Sequence, residues 1–181
     1  MLCAVTTPPA DSGPIGDKEE SMTPASNSRR RYEEAKAETL AGFSDRGPDH
    51  INCAQAMVHL TMGILGRDKS VITAAQYLGG GVSSTGGTCG AVTGSALALG
   101  LRDYYEGADA NSVARTKEAL QDLIASFEQE FGACTCRDLT GHDLLTPEGM
   151  EEFKNSEASQ RCPVYISWMS DHLFPILAAE Q

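Results

Sequence analysis

The stretch NSVARTKEALQDLIASFEQEFG, residues 111–132, sets Ala119, Leu120, Leu123, Ile124, Phe127 and Phe131 on one stripe and closes at Gly132. That is the 3.6-residue period of an amphipathic helix. No run of alternating polar and apolar residues occurs anywhere in the chain, so nothing in the pattern calls for a sheet. The chain therefore reads as an all-α, single-domain helical bundle without internal repeats, and 181 residues suffice for one ordinary domain.

The other segments agree. RRRYEEAKAETLAGF (29–43) is rich in helix formers and charge, and GPD at 47–49 offers a break with Asp49 as N-cap. INCAQAMVHLTMGIL then puts Cys53, Met57, Leu60 and Ile64 on one apolar stripe. VITAAQYLG (71–79) reads as a short helix stopped by glycine. Thr88 is placed to cap a helix beginning at Cys89, in which Gly90, Gly94 and Ala98 share a small-residue face open to a close backbone neighbour. Two helical glycines cost roughly 1 kcal/mol each relative to alanine, so that face has a purpose. Thr146-Pro147-Glu148 marks another helix start, and RCPVYISWMSDHLFPILAA a last helix with Pro163 in its first turn and Pro175 near its end. Residues 1–28, rich in Pro, Ser, Thr and Gly, read as a disordered tail ahead of a domain at 29–181.

With a net charge of −11, the chain is expected to repel phosphate backbones, which argues against nucleic-acid binding. No run of 18 apolar residues is present to span a membrane. No basic stretch leads into an apolar segment of signal-peptide length, so the expected location is cytoplasmic.

Six cysteines remain to be explained: Cys3, Cys53, Cys89, Cys134, Cys136 and Cys162. In a reducing compartment, dispersed thiols point to metal or redox chemistry more than to structural disulfides, although a single cysteine is as often a small buried hydrophobe. Cys53, Cys89, Cys136 and Cys162 each fall near an expected helix start, where partial positive charge and unpaired N–H groups lower a thiol pKa. No C-x2-C pair of a zinc ribbon, no ferredoxin run and no C-x-x-C-H haem motif occurs, so any site must assemble from distant helices. Cys89 also ends the glycine-rich GGGVSSTGGT at 79–88, which lacks the Gly-Lys-Ser/Thr ending of a phosphate loop. His59, near Cys53, and His142, near Cys136, are read as boundary and loop residues; Tyr165 and Trp168 as packing residues.

Four stretches together carry a resemblance: INCAQAM (51–57), GGGVSSTGGTCGAVTGSALALGL (79–101), CRDLTGHD (136–143) and RCPVYI (161–166). They resemble the redox-active C_GCAxxG_C_C family, named for its spaced cysteines around a glycine-rich motif, and the iron–sulfur part of split-Soret cytochromes. The resemblance spans about residues 32 to 178. It implies redox activity, with Cys53, Cys89, Cys136 and Cys162 as the family cysteines and Cys3 and Cys134 outside the pattern. It further implies a cysteine-bound iron–sulfur cluster without haem, and a homodimer, for which the Gly90/Gly94/Ala98 face offers a surface. Substrate and redox partner stay undefined.

On that reading the four cysteines bind the metal, and Gly80, Gly81, Gly86, Gly87 and Gly90 bring bare backbone and its N–H groups close to the cluster. Two alternatives stand beside it: a metal-free thiol–disulfide protein, in which a third thiol resolves a reversible bond, and a structural zinc site in a helical module.

Overall fold

The computed structural model describes residues 24–179. The described chain is all-α: α1 (Pro24–Ser44), α2 (Cys53–Leu65), a 3₁₀ helix (Lys69–Leu78), α3 (Gly90–Glu106), α4 (Ala110–Phe131), α5 (Cys136–Thr140), α6 (Pro147–Asn155) and α7 (Glu157–Ala178). Among the described residues the nearest thing to a sheet is one antiparallel bridge, Thr88 to Thr135. No described helix is long and apolar enough to cross a membrane. Residues 24–28, assigned to the tail from composition, form the first turn of α1. The rest of that expected tail lies outside the described residues.

α2 is the axis of the fold. Its apolar side chains serve two clusters at once: Ala56, Met57, Leu60 and Ile64 face one, and Ala54, Val58 and Met62 the other. A helix apolar all round is a buried helix, and α2 packs against α1, α3, α7 and the 3₁₀ helix. The sequence shows only the first stripe plainly, because the second runs through small Ala54. The start of α2 is fixed by Asn52 rather than the expected Asp49. The Asn52 side chain accepts from the N–H groups of Ala54 (2.9 Å) and Gln55 (3.0 Å), and Gln55 Oε1 accepts from Asn52 N (3.0 Å), a complete capping box.

The small-residue face of α3 is filled from within the chain. A Cβ on Gly94 would stand 2.5 Å from Ala54 O and 2.7 Å from Ala54 Cα, and Ala98 lies buried in the same cluster as Ala54. The face expected to receive a second copy therefore receives α2.

α7 closes the bundle. Tyr32 of α1 stacks on Phe174 (centroids 4.3 Å apart) and donates its hydroxyl to Asp171, which also takes Lys36 Nζ at 2.7 Å. Arg102 of α3, 2% exposed, donates to Ile176 O (2.6 Å) in the last turn of α7 and to Thr116 Oγ1 (2.6 Å) of α4, with Asp103 beside it at 2.7 Å. A buried guanidinium needs such partners, and these tie three helices together. Helix α7 begins at Glu157, so Pro163 sits in its second turn rather than its first.

A candidate thiol centre under a glycine loop

Cys53 is the first residue of α2, directly after its cap. The same Asn52 donates Nδ2 to Gln76 O at 2.9 Å, tying the start of α2 to the end of the 3₁₀ helix. Gly79 abuts Asn52 so closely that a Cβ would stand 2.8 Å from its Cγ. From there the chain is delivered over Cys53.

Beyond Gly79 the backbone winds into a left-handed turn. Gly80, Gly81, Val82, Ser83 and Ser84 have φ of 63°, 70°, 63°, 51° and 64°, and Gly86 has 80°. It closes on itself through Ser83 N to Tyr77 O (2.8 Å), Gly86 N to Gly80 O (3.1 Å) and Gly87 N to Gly81 O (3.0 Å). Gly81 has no substitute here: a Cβ would stand 2.4 Å from Gly87 N and O. Val82, a β-branched residue at positive φ, is a true outlier, and a non-glycine residue in this region costs roughly 1–2 kcal/mol. We expect Val82→Gly to stabilise the protein by about 1 kcal/mol, the relief of strain exceeding the roughly 0.5–1 kcal/mol entropy cost of glycine. The urea midpoint measures it. A lower midpoint would mean that the Val82 side chain, 43% exposed, contributes more than its backbone costs.

The turn aims its N–H groups at sulfur. The Cys53 sulfur accepts from the backbone amides of Gly80, Ala54 and Gly90. A Cβ on Gly90 would stand 2.2 Å from Cys53 Sγ, so only glycine admits the sulfur there. Of the five glycines singled out from the sequence, Gly80 and Gly90 donate directly to a thiol, and Gly81 and Gly87 hold the turn closed. Gly86 makes room for Arg137, whose Cβ would be 3.0 Å from an added Cβ.

The far end of the loop pairs with residues 134–137. Cys89 N donates to Cys134 O (2.8 Å), Cys136 N to Gly87 O (2.7 Å) and Arg137 N to Gly86 O (3.1 Å). This carries Cys136, first residue of α5, to the loop. Thr135, not Cys136, caps α5, accepting from Asp138 N at 3.1 Å. Cys89 itself is the N-cap of α3, one residue later than Thr88, and makes no side-chain cap bond.

The four family thiols are electrostatically coupled. Three of them sense the charge of others: Cys89 that of Cys53, Cys136 and Cys162; Cys162 that of Cys53 and Cys136; Cys136 that of Cys53. Cys89 and Cys136 are buried, Cys53 and Cys162 half-buried. The expected lowering of their pKa values is overturned. Burial pushes all four up, Cys136 to about 11 and Cys162 to about 12, with mutual repulsion adding to it for Cys89, Cys136 and Cys162. Amide bonds from Ala54, Gly80 and Gly90 pull Cys53 the other way without winning. Losing water outweighs helix-end charge here, and Cys162 lies in the second turn of α7, past the helix end altogether. Among the described residues, no group of three or more His, Cys, Asp or Glu is arranged to hold a single metal ion.

Tyr165 is the packing residue expected, with its ring against Phe127 and Phe131, and it also borders the thiols. It is 2% exposed, its hydroxyl bonds Leu139 O at 3.3 Å, and it senses the charges of Cys162, Cys89 and Cys136. Its place three residues after Cys162, on one helical face, was the available signal. The bland readings of the histidines agree with the structure. His59 meets Thr39 Oγ1 at 2.8 Å, and His142 packs on Phe153. Cys134 turns its Sγ to Ile124 O (3.7 Å), and Cys3 lies outside the described residues.

The family described as "Putative redox-active protein (C_GCAxxG_C_C)" matches residues 51–174. The chain belongs to this family. The match takes in all four coupled cysteines and the whole glycine loop. Where the C_GCAxxG_C_C name writes GCAxxG, this chain reads Cys89-Gly90-Ala91-Val92-Thr93-Gly94. No curated protein and no solved structure matches the chain.

Proposed function

We propose that this redox-active family member holds an iron–sulfur cluster on Cys53, Cys89, Cys136 and Cys162 and passes electrons to a partner protein. One observation carries the reading. Thiols from four separate helical segments enter one coupled group, with backbone N–H donors from Gly80, Ala54 and Gly90 already directed at its first sulfur. The donor chemistry fits: four soft sulfur ligands, no carboxylate among them, and amides of the kind that tune cluster potentials.

Among the described residues no three ligating side chains stand ready for a single zinc ion. A polynuclear cluster would be held by Cys53, Cys89, Cys136 and Cys162. Thiol exchange among the four is the second reading; burial, which raises their pKa values, slows it without preventing it. When bound, the cluster supplies one-electron chemistry. The chain's share is to bind it, exclude water from it and lend it amide donors. A homodimer stays within the reading on family resemblance, without the Gly90/Gly94/Ala98 face.

Purification without oxygen tests this. Brown protein carrying iron and acid-labile sulfide is the expected result. Colourless protein with one zinc per chain, or with no metal after reconstitution with iron and sulfide, would overturn it.

A further inference from the structure

Cys134, outside the family pattern, has a partner set by backbone register. The Thr88–Thr135 bridge is antiparallel, with Cys89 N donating to Cys134 O and Cys136 N to Gly87 O. That register stands Cys89 directly opposite Cys134, and Gly87 opposite Cys136. Cys89 and Cys134 make one of the two bonds of a hydrogen-bonded pair, Cys89 O being taken by Val92 N (2.9 Å) and Thr93 N (3.0 Å); a complete pair has Cα atoms about 5.5 Å apart and Cβ atoms about 4.5–5.5 Å apart. A disulfide spans Cα separations of about 4.4–6.8 Å and Cβ separations of about 3.5–4.5 Å, so closing the bond draws the two backbones slightly together. Both residues belong to one apolar cluster. The Cys134 contact to Ile124 O, at 3.7 Å, is a weak thiol bond that rotation gives up at little cost.

We propose that Cys89 and Cys134 form a reversible disulfide in the cluster-free protein, withdrawing Cys89 from the four-thiol centre. The oxidant is a low-molecular-weight disulfide, RSSR. Cys134 is the more accessible thiol, half-buried where Cys89 is buried. It attacks one sulfur of RSSR, and the released RS⁻ takes up the Cys134 proton. The Cys89 sulfur then attacks the Cys134 sulfur of the mixed disulfide. The second RS⁻ leaves with the Cys89 proton. Two cysteines have lost two electrons and two protons, and RSSR has become two RSH. The consequence for the cluster rests on the function proposed above: a linked Cys89 has no thiolate to give iron.

Reduced, iron-free, full-length protein is incubated with oxidised glutathione, alkylated, digested and mapped by mass spectrometry without reduction. The expected product is a Cys89–Cys134 peptide pair that dithiothreitol reverses. A bond between any other pair, or protein that stops at mixed disulfides, overturns the proposal. After the same oxidation the wild type should fail to take up iron, while Cys134→Ser takes it up as the reduced protein does. Cys134→Ala serves where the serine variant does not fold. Undiminished iron uptake by the linked wild type overturns the withdrawal of Cys89. Should reduced wild type take up no iron at all, the cluster reading fails, and the mapped bond still decides this one.

Discussion

Cys89→Ser is expected to lose the iron and the brown colour entirely while its helices stay intact, and Cys134→Ser to keep both. The contrast is sharp because the two residues oppose each other in the backbone register of the Thr88–Thr135 bridge, yet of the two only Cys89 senses the charge of Cys53, Cys136 and Cys162. A serine hydroxyl is a hard, weakly acidic donor that does not replace a thiolate on iron. It does suit the backbone position. Cys89 is the N-cap of α3 and makes no side-chain cap bond, whereas serine is a preferred cap contributing about 1 kcal/mol. Unchanged or slightly raised thermal stability of the metal-free variant therefore separates loss of a ligand from loss of the fold. If both variants keep the chromophore, or both lose it, the four-cysteine centre is wrongly drawn.

Gly94→Ala should destabilise the protein by a net ~2 kcal/mol, and Gly100→Ala, six residues on in the same helix, should stabilise it by up to ~1 kcal/mol. Both changes gain the same helix propensity. They differ in what the new methyl meets: at Gly94, Ala54 O, Cα and C at 2.5, 2.7 and 2.9 Å; at Gly100, nothing within 4 Å. Backbone cannot rotate away as a side chain can, so α2 and α3 must separate. For a protein of this size the Gly94 loss lowers the melting temperature by about 4–8 °C. It also shifts Cys53, which α2 carries one residue before Ala54. Equal effects at the two positions would sink the close-crossing account.

The sequence made the helices legible wherever their period was self-contained. Leu123 and Phe127 of the α4 stripe are buried, and the Gly132 stop stands as read. Helix starts were less legible. Asp49, Thr88 and the assumed start near Cys162 were each displaced, because a cap is chosen by which side chain reaches an N–H in space. Asn52 won over Asp49 by having Gln55 three residues on and the Gln76 carbonyl across the fold. The 3₁₀ geometry of Lys69–Leu78 left no mark that distinguishes it from a short α-helix.

For the thiol centre the division is similar. Motif and spacing singled out Cys53, Cys89, Cys136 and Cys162, and the glycines beside them, because local chemistry sets which residues can ligate and where backbone must stay bare. Their proximity, their raised pKa values and the place of Tyr165 were decided by tertiary structure alone. Burial and charge coupling are properties of distances between segments, and no single segment contains them. The register across Thr88 and Thr135, which stands Cys134 against Cys89, belongs to the same class: two stretches far apart in sequence set it by exchanging hydrogen bonds.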